Sequence, residues 1–159
     1  MIRVGQGFDV HPFDASRPLI LGGVNIPDAP GLQGHSDADA VLHALTDAIL
    51  GAISAGDIGT HFPSTDEKWR HAGSSAFVNH AMDLLKKSNG TVSNTDITII
   101  AQKPRLAAYR TDMEQSIARL LRVSREQVSV KATTTDHLGF VGREEGICVL
   151  AIVAVEISA

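Results

Sequence analysis

Asp9 and His11 are separated by one residue near the start of the chain, and His43 lies further on in a stretch that reads as a helix. In extended chain, residues two apart point to the same side, so a carboxylate and an imidazole leave the first strand together. One oxygen and two nitrogen donors can bind a cation such as zinc. A structural zinc site usually closes with four protein ligands, whereas a catalytic one takes three and keeps a position open. An Asp-x-His pair alone recurs by chance in many chains, and a lone helical His43 reads as an exposed polar side chain. The helix adds to the pair: Asp39, His43 and Asp47 fall at i, i+4 and i+8, which stacks the imidazole between two carboxylates and offers one of them as support for a metal ligand.

The elements that must position these groups follow from periodicity. Ser36, followed three residues later by Asp39, forms a capping-box pattern, and Val41, Leu42, Leu45, Ile49, Leu50 and Ile53 recur at helical spacing. This predicts a helix from near Asp37 to before Gly56, whose first amides, with His35 and Ser36 beside them, form a seat for an anion such as phosphate. Upstream, residues 2–8 read as a strand in which Gly5 and Gly7 admit another backbone or a ligand. With no third glycine and no helix opening there, they do not make a dinucleotide fingerprint. Residues 19–26, broken by Gly22 and Gly23, read as a small hairpin.

Behind the helix, residues 56–73 form a long loop of the kind that is functional or mobile. Residues 75–87 return to helix with Phe77, Val78, Ala81, Met82 and Leu85 on one face, Gly90 as its cap and His80 on the solvated side. Residues 96–102 read as a strand, 106–122 as a third helix carrying Met113, Ile117, Leu120 and Leu121 inward, and Val128, Val130 and Ala132 as the buried side of another strand. The last strand, 147–157, is apolar almost throughout, which means burial on both faces. Three helices make one layer, so the other cover is read as a second copy of the protein. The expected fold is α+β, one mixed four-stranded sheet with helices packed on one side, in a single domain over residues 1–159.

Composition bounds the rest. With 159 residues, 43% of them hydrophobic and 20% charged, the chain is globular in type, and its net charge of -4 argues against a nucleic-acid binder. Cys148 is the only cysteine, so neither an intrachain disulfide nor a cysteine-built zinc site is possible; within its apolar run it reads as a small buried hydrophobe. No stretch approaches the roughly 20 apolar residues of a membrane span, and a cytoplasmic location is expected.

Four segments carry a resemblance: GxGxDxHxF at 5–13, HSDADAVLHALTDAILG at 35–51, DIGxxFPxTD at 57–66 and KATTTDHLGFxGRxEG at 131–146. Together, and in this order, they resemble the 2-C-methyl-D-erythritol 2,4-cyclodiphosphate synthase family of the non-mevalonate isoprenoid pathway. The resemblance implies a Bacillus chorismate mutase-like fold, assembled as a homotrimer with the other sheet face toward the trimer core and with sites at the subunit interfaces. It implies a cyclising phosphorus-oxygen lyase that converts 4-diphosphocytidyl-2-C-methyl-D-erythritol 2-phosphate to the cyclic diphosphate and CMP.

Residue by residue, the resemblance places zinc on Asp9, His11 and His43, with Asp9, Val10 and His11 also lining the substrate site. The phosphate-binding pair falls on His35 and Ser36. Asp57, Ile58 and Gly59 match the segment that holds the methylerythritol moiety, and Phe62, Pro63, Ser64, Thr65 and Asp66 the adjacent flexible loop. The cytidine pocket, shared with a neighbouring subunit, matches Ala101, Gln102, Lys103, Pro104, Arg105, Leu106 and Ala107 together with Thr133, Thr134 and Thr135. His35 and Thr134 match the residues that stabilise the transition state. A second cation, Mg2+ or Mn2+, is held in the family by a Glu; this chain has Asp136 there, one methylene shorter. Ala38 replaces a frequent Gly. Phe140 and Arg143 match the lining of an axial cavity that can hold an isoprenoid diphosphate. Two other readings stay open: a zinc-dependent phosphoester hydrolase using Asp39 or Asp47 as base, and a non-catalytic isoprenoid-diphosphate binding trimer.

Overall fold

Along the first segment, Gly5, Gly7, Asp9 and His11 share one face, and the rest of the chain packs against that face. The computed structural model, which describes residues 1–158, makes the segment one long strand, β1 (Ile2–Asp14). It continues past Phe8 because the last long strand, β7 (Gly146–Ile157), pairs with it antiparallel almost to its end, setting Asp9 opposite Val149 and His11 opposite Ile147. The candidate ligands therefore lie inside a paired strand. A short hairpin follows, β2 (Leu19–Leu21) and β3 (Val24–Ile26), turning through Gly22 and Gly23 at φ 60° and 75°. A two-residue strand, β4 (Gly31–Leu32), pairs with the end of β1.

β5 (Gly90–Ile100) lies antiparallel to β7, and β6 (Val128–Thr133) lies parallel to β5. The main sheet has the order β4-β1-β7-β5-β6, so the expected mixed sheet of four strands has a fifth, too short to show a period. Three helices, α1 (Ala40–Ala52), α3 (Ser75–Lys87) and α4 (Arg110–Leu121), share one core with the sheet. Between α1 and α3 the long loop holds a short helix, α2 (Ile58–His61), and a 3-10 turn at Glu67–Trp69. Among the described residues no helix is long and apolar enough to cross a membrane.

α1 starts later than its sequence pattern suggests. Ala38 has φ 58°, and the N-cap is Asp39, whose carboxylate accepts from the Leu42 amide at 3.0 Å. The same carboxylate takes the Gly22 and Gly23 amides at 2.9 and 2.7 Å, and a bond to a distant hairpin has no trace in local spacing. α3 ends at Lys87 with Ser88 as its C-cap, and Asn89, at φ 54°, takes the left-handed position expected of Gly90, which begins β5. Leu120 is partly buried, and Ala132 is exposed and borders a groove instead of the core.

What sets α1 against β1 is the absence of side chains at two positions. A Cβ built on Gly5 would lie 1.8 Å from the Ala48 carbonyl oxygen, and one on Gly7 1.8 Å from that of Ala44. Backbone meets backbone there, and His43 is brought to Asp9 and His11. The opposite face is uncovered within the chain: Ile2, Val4, Phe8 and Ile152 are 70%, 64%, 56% and 45% exposed. β7 is thus buried on its inner face by α1 and left open on its outer one.

Gly7→Ala must push α1 outward, so it is expected to cost about 1–3 kcal/mol in a denaturant melt. Gly51 lies in the same helix, where the nearest atom to an added Cβ, Gln6 O, is 3.9 Å away. Gly51→Ala is expected to stabilise by up to about 1 kcal/mol.

Candidate metal centre

Strand and helix deliver three side chains to one point. Asp9 Oδ2 lies 2.8 Å from His11 Nε2 and 3.3 Å from His43 Nδ1, and the two nitrogens are 3.1 Å apart. The side chains of Asp9, His11 and His43 are 25%, 16% and 11% exposed. His11 Nδ1 is 2.7 Å from the Gln33 carbonyl oxygen, which only accepts, so its proton sits there and Nε2 turns a lone pair toward Asp9. Asp9 Oδ2 is buried with no hydrogen-bond donor. An acceptor oxygen and ring nitrogens this close need a positive charge among them.

A proton on an imidazole is one such charge. Burial works against ionised Asp9, but when the imidazoles are protonated their charge and their hydrogen bonds, from His11 and His43, outweigh it and hold the carboxyl at about 2. Burial likewise opposes charge on His11, and the Asp9 carboxylate overcomes it, raising this imidazole above its ordinary value. A divalent cation is the other. One carboxylate oxygen and two imidazole nitrogens, all within 4.8 Å of one another, fit it by donor type and count.

The support expected from the α1 carboxylates is absent. Asp39 is fully buried on the hairpin amides, and that burial pushes it up to about 6 against the hydrogen bonds that hold it down. Asp47 accepts from the Ile58 amide at 2.7 Å, and burial raises it as well. His43 Nε2 instead meets Ser74 Oγ at 2.8 Å and Ser36 Oγ at 3.0 Å. Ser36 is therefore turned inward, and the Leu42 amide of α1 is taken by Asp39. Ser74 has no periodic signature; only its position between a loop and a helix could have marked it.

The other expected residues fall into three places. Around the long loop, His35 Nε2 donates to the Asp66 carbonyl oxygen at 3.2 Å, and Asp57 caps α2 through the Thr60 amide at 2.8 Å. Gly59 lies within α2, and Pro63, Ser64, Thr65 and Asp66 are exposed. Phe62 is buried against Phe77 at 4.4 Å and Trp69 at 4.8 Å between ring centroids, and Phe77 in turn lies 5.7 Å from the His43 ring. His80 belongs to this aromatic cluster, its Nε2 3.1 Å from His61 Nδ1, and is not simply solvated.

At the ends of β5 and β6, Ala101, Gln102, Pro104, Arg105, Leu106, Ala107, Thr133 and Thr134 line one groove of about 270 Å³. Lys103 points to Glu144 at 3.2 Å, and Thr135 Oγ1 donates to the Leu138 carbonyl oxygen at 2.7 Å. Asp136 is exposed at φ 52° and is not one of the Asp9, His11, His43 group. Phe140 is 40% exposed on a short turn of helix, α5 (Gly139–Gly142), and Arg143 pairs with Glu145 at 3.2 Å. Register places Val10, Cys148, Ile100 and Thr133 in one row across the sheet, so cation point and groove share an end of it.

A mixed sheet layered with helices, carrying three metal-type side chains at the same sheet end as a groove, defines an α+β protein with a candidate cation site. The chain belongs to the YgbB family, which matches residues 2–156. It is 54% identical over 156 residues to the 2-C-methyl-D-erythritol 2,4-cyclodiphosphate synthase of Geobacillus thermodenitrificans, covering 98% of each chain. It is 49% identical to the bifunctional enzyme IspD/IspF of Bartonella bacilliformis, over 97% of this chain and 39% of that one. Among solved structures it resembles IspF of Plasmodium falciparum in complex with CDP, at TM-score 0.87 and 35% identity over 99% of this chain and 97% of that one. It also resembles the bifunctional IspDF of Campylobacter jejuni, at TM-score 0.95 and 44% identity over 99% of this chain and 43% of that one.

Protons and cation compete for the same atoms, so cation affinity must fall with pH. Zinc titrated against a competing chelator is expected to bind on the order of tenfold or more weakly at pH 5.5 than at pH 7.5, since His11, held above its ordinary value by Asp9, is protonated at the lower pH. Affinity independent of pH would place the metal elsewhere.

Proposed function

We propose that the chain catalyses the ring closure of 4-diphosphocytidyl-2-C-methyl-D-erythritol 2-phosphate to 2-C-methyl-D-erythritol 2,4-cyclodiphosphate, with release of CMP, in isoprenoid precursor synthesis in the cytoplasm. The observation that carries it is the convergence of Asp9, His11 and His43 in a chain 54% identical, along nearly its whole length, to a synthase of that name. The attacking group is the substrate's own phosphate oxygen, ionised at neutral pH, so no protein base is required. A hydrolase would need one to activate water. Asp39 and Asp47, the carboxylates nearest in sequence to His43, are both engaged by backbone amides, which favours cyclisation over hydrolysis.

The cation is zinc by donor type, with Mg2+ or Mn2+ as a second ion at Asp136; bound, they supply Lewis-acid polarisation and charge neutralisation at phosphoryl oxygens. The protein's part is positioning: reacting phosphates must be held in line despite their repulsion. Asp9 and His11 stand on a paired strand and His43 on a packed helix, so the first ion's place is rigid. The groove between residues 101–107 and Thr133–Thr134 receives the cytidine, in keeping with the CDP in the Plasmodium falciparum relative. His35, Ser36 and Thr134 serve the phosphates, Asp57, Ile58 and Gly59 the methylerythritol portion, and residues 62–66 close over it.

Within one chain the groove and the cation point are three strand spacings apart, roughly 14 Å. A homotrimer that sets one copy's groove against the next copy's cation point brings the halves together. The exposed apolar row of Ile2, Val4, Phe8 and Ile152 supplies the surface for such an assembly. Phe140 and Arg143 then face the axis, where an isoprenoid diphosphate can bind.

Incubated with substrate and divalent metal, the protein is expected to release CMP and a cyclic diphosphate without inorganic phosphate, as read by phosphorus NMR. Phosphate release instead would indicate a hydrolase, and binding without turnover a non-catalytic trimer. His43→Ala is expected to remain a trimer by analytical ultracentrifugation while kcat/KM falls roughly a thousandfold, since the lost group acts mainly in the transition state. Unfolding together with loss of zinc would make the site structural.

A further inference from the structure

Ser74 stands at the N-cap of α3, where a serine hydroxyl ordinarily accepts from the helix's own amides. Here it makes no capping bond, although the residue is fully buried. Its Oγ sits between His43 Nε2, at 2.8 Å, and Asp37 Oδ1. The direction of this chain of bonds is fixed by chemistry. A carboxylate only accepts and a hydroxyl has one proton to give, so Ser74 donates to Asp37 and must accept from His43. Backbone amides hold Asp37 in place, since its Oδ2 takes the Ser74 amide at 3.0 Å and its Oδ1 the Asp39 amide at 3.2 Å. Ser36 Oγ, 3.0 Å from the same His43 nitrogen, already accepts from the Ala38 amide at 3.2 Å and can serve as a second acceptor.

We infer that Asp37 and Ser74 are positioning residues for the cation site, locking His43 as the Nε2–H tautomer with the Nδ1 lone pair aimed between Asp9 and His11. The metal role of this pair rests on the reading of Asp9, His11 and His43 as a cation site. It fills the place that Asp39 and Asp47 leave empty: a ligand histidine whose far nitrogen is held by a hydrogen-bond acceptor. The support also arrives from the far side of the long loop. The Asp37 amide donates to the Ala72 carbonyl oxygen at 3.0 Å and the His71 amide to that of His35 at 2.8 Å, so the loop's root and the His43 ring share one network.

The test uses the whole chain and two variants, Ser74→Ala and Asp37→Asn, with two readouts. Nitrogen-15 NMR of the metal-free protein at pH 8 reads the His43 tautomer, and competition with a chelator reads zinc affinity. The parent is expected to show Nε2–H. Ser74→Ala is expected to show a mixture of tautomers and to bind zinc about 10–100-fold more weakly, with unchanged helix content because the hydroxyl caps nothing. Asp37→Asn, which frees the Ser74 proton to point at His43, is expected to move the tautomer in the same sense. An unchanged tautomer and unchanged zinc affinity in both variants overturns the inference. A parent that binds no zinc at all overturns the cation reading, while the tautomer of His43 still decides the role of Ser74.

Discussion

An acceptor oxygen and two ring nitrogens held about 3 Å apart cannot stay together without a positive charge, and this fold is built so that they have no other arrangement. Asp9 and His11 are fixed by pairing with β7, and the His11 ring by the Gln33 carbonyl. His43 is fixed by a helix that cannot move away without opening the core between Leu42, Leu45, Ile49 and the sheet. The electrostatic strain at this point is relieved by a positive charge among the three side chains, whether a proton or a cation.

That constraint reaches back to two positions with no side chain at all. Gly5 and Gly7 let the carbonyls of Ala44 and Ala48 lie directly on β1, so a helix that would otherwise ride on a layer of side chains sits closer to the strand. The hairpin does the complementary work at the other end of α1. Its Gly22 and Gly23 amides grip the Asp39 carboxylate, which starts the helix at Ala40 and sets the height of His43 over the strand. Packing and capping thus act together on one imidazole.

The candidate ligands are legible in the sequence because each sits in a simple period: Asp9 and His11 two apart on a strand, His43 on a helix with a clear apolar stripe. The α+β class and the three long helices follow from the same periods. What supports the ligands is not legible there. Ser36-x-x-Asp39 matches a capping box, yet Asp39 is itself the cap, because its carboxylate finds partners in a hairpin distant in sequence. Ser74 and Asp37 meet across the long loop, and no local rule joins a loop serine to a helix histidine. His80 reads as solvated because its partner, His61, belongs to that loop. The last strand reads as covered on both faces; within the chain only its inner face is covered, and the outer face of β1 and β7 keeps an exposed apolar row.

The most direct measurement is the coordination of zinc bound to the full chain, by X-ray absorption and by anomalous diffraction from a crystal grown with the metal. One ion is expected about 2.0–2.2 Å from Asp9 Oδ2, His11 Nε2 and His43 Nδ1, with a further position open to a non-protein oxygen. Zinc bound through the other nitrogen of His43, or held at a different place while the two imidazoles stand apart, would contradict a cation site built from these three side chains.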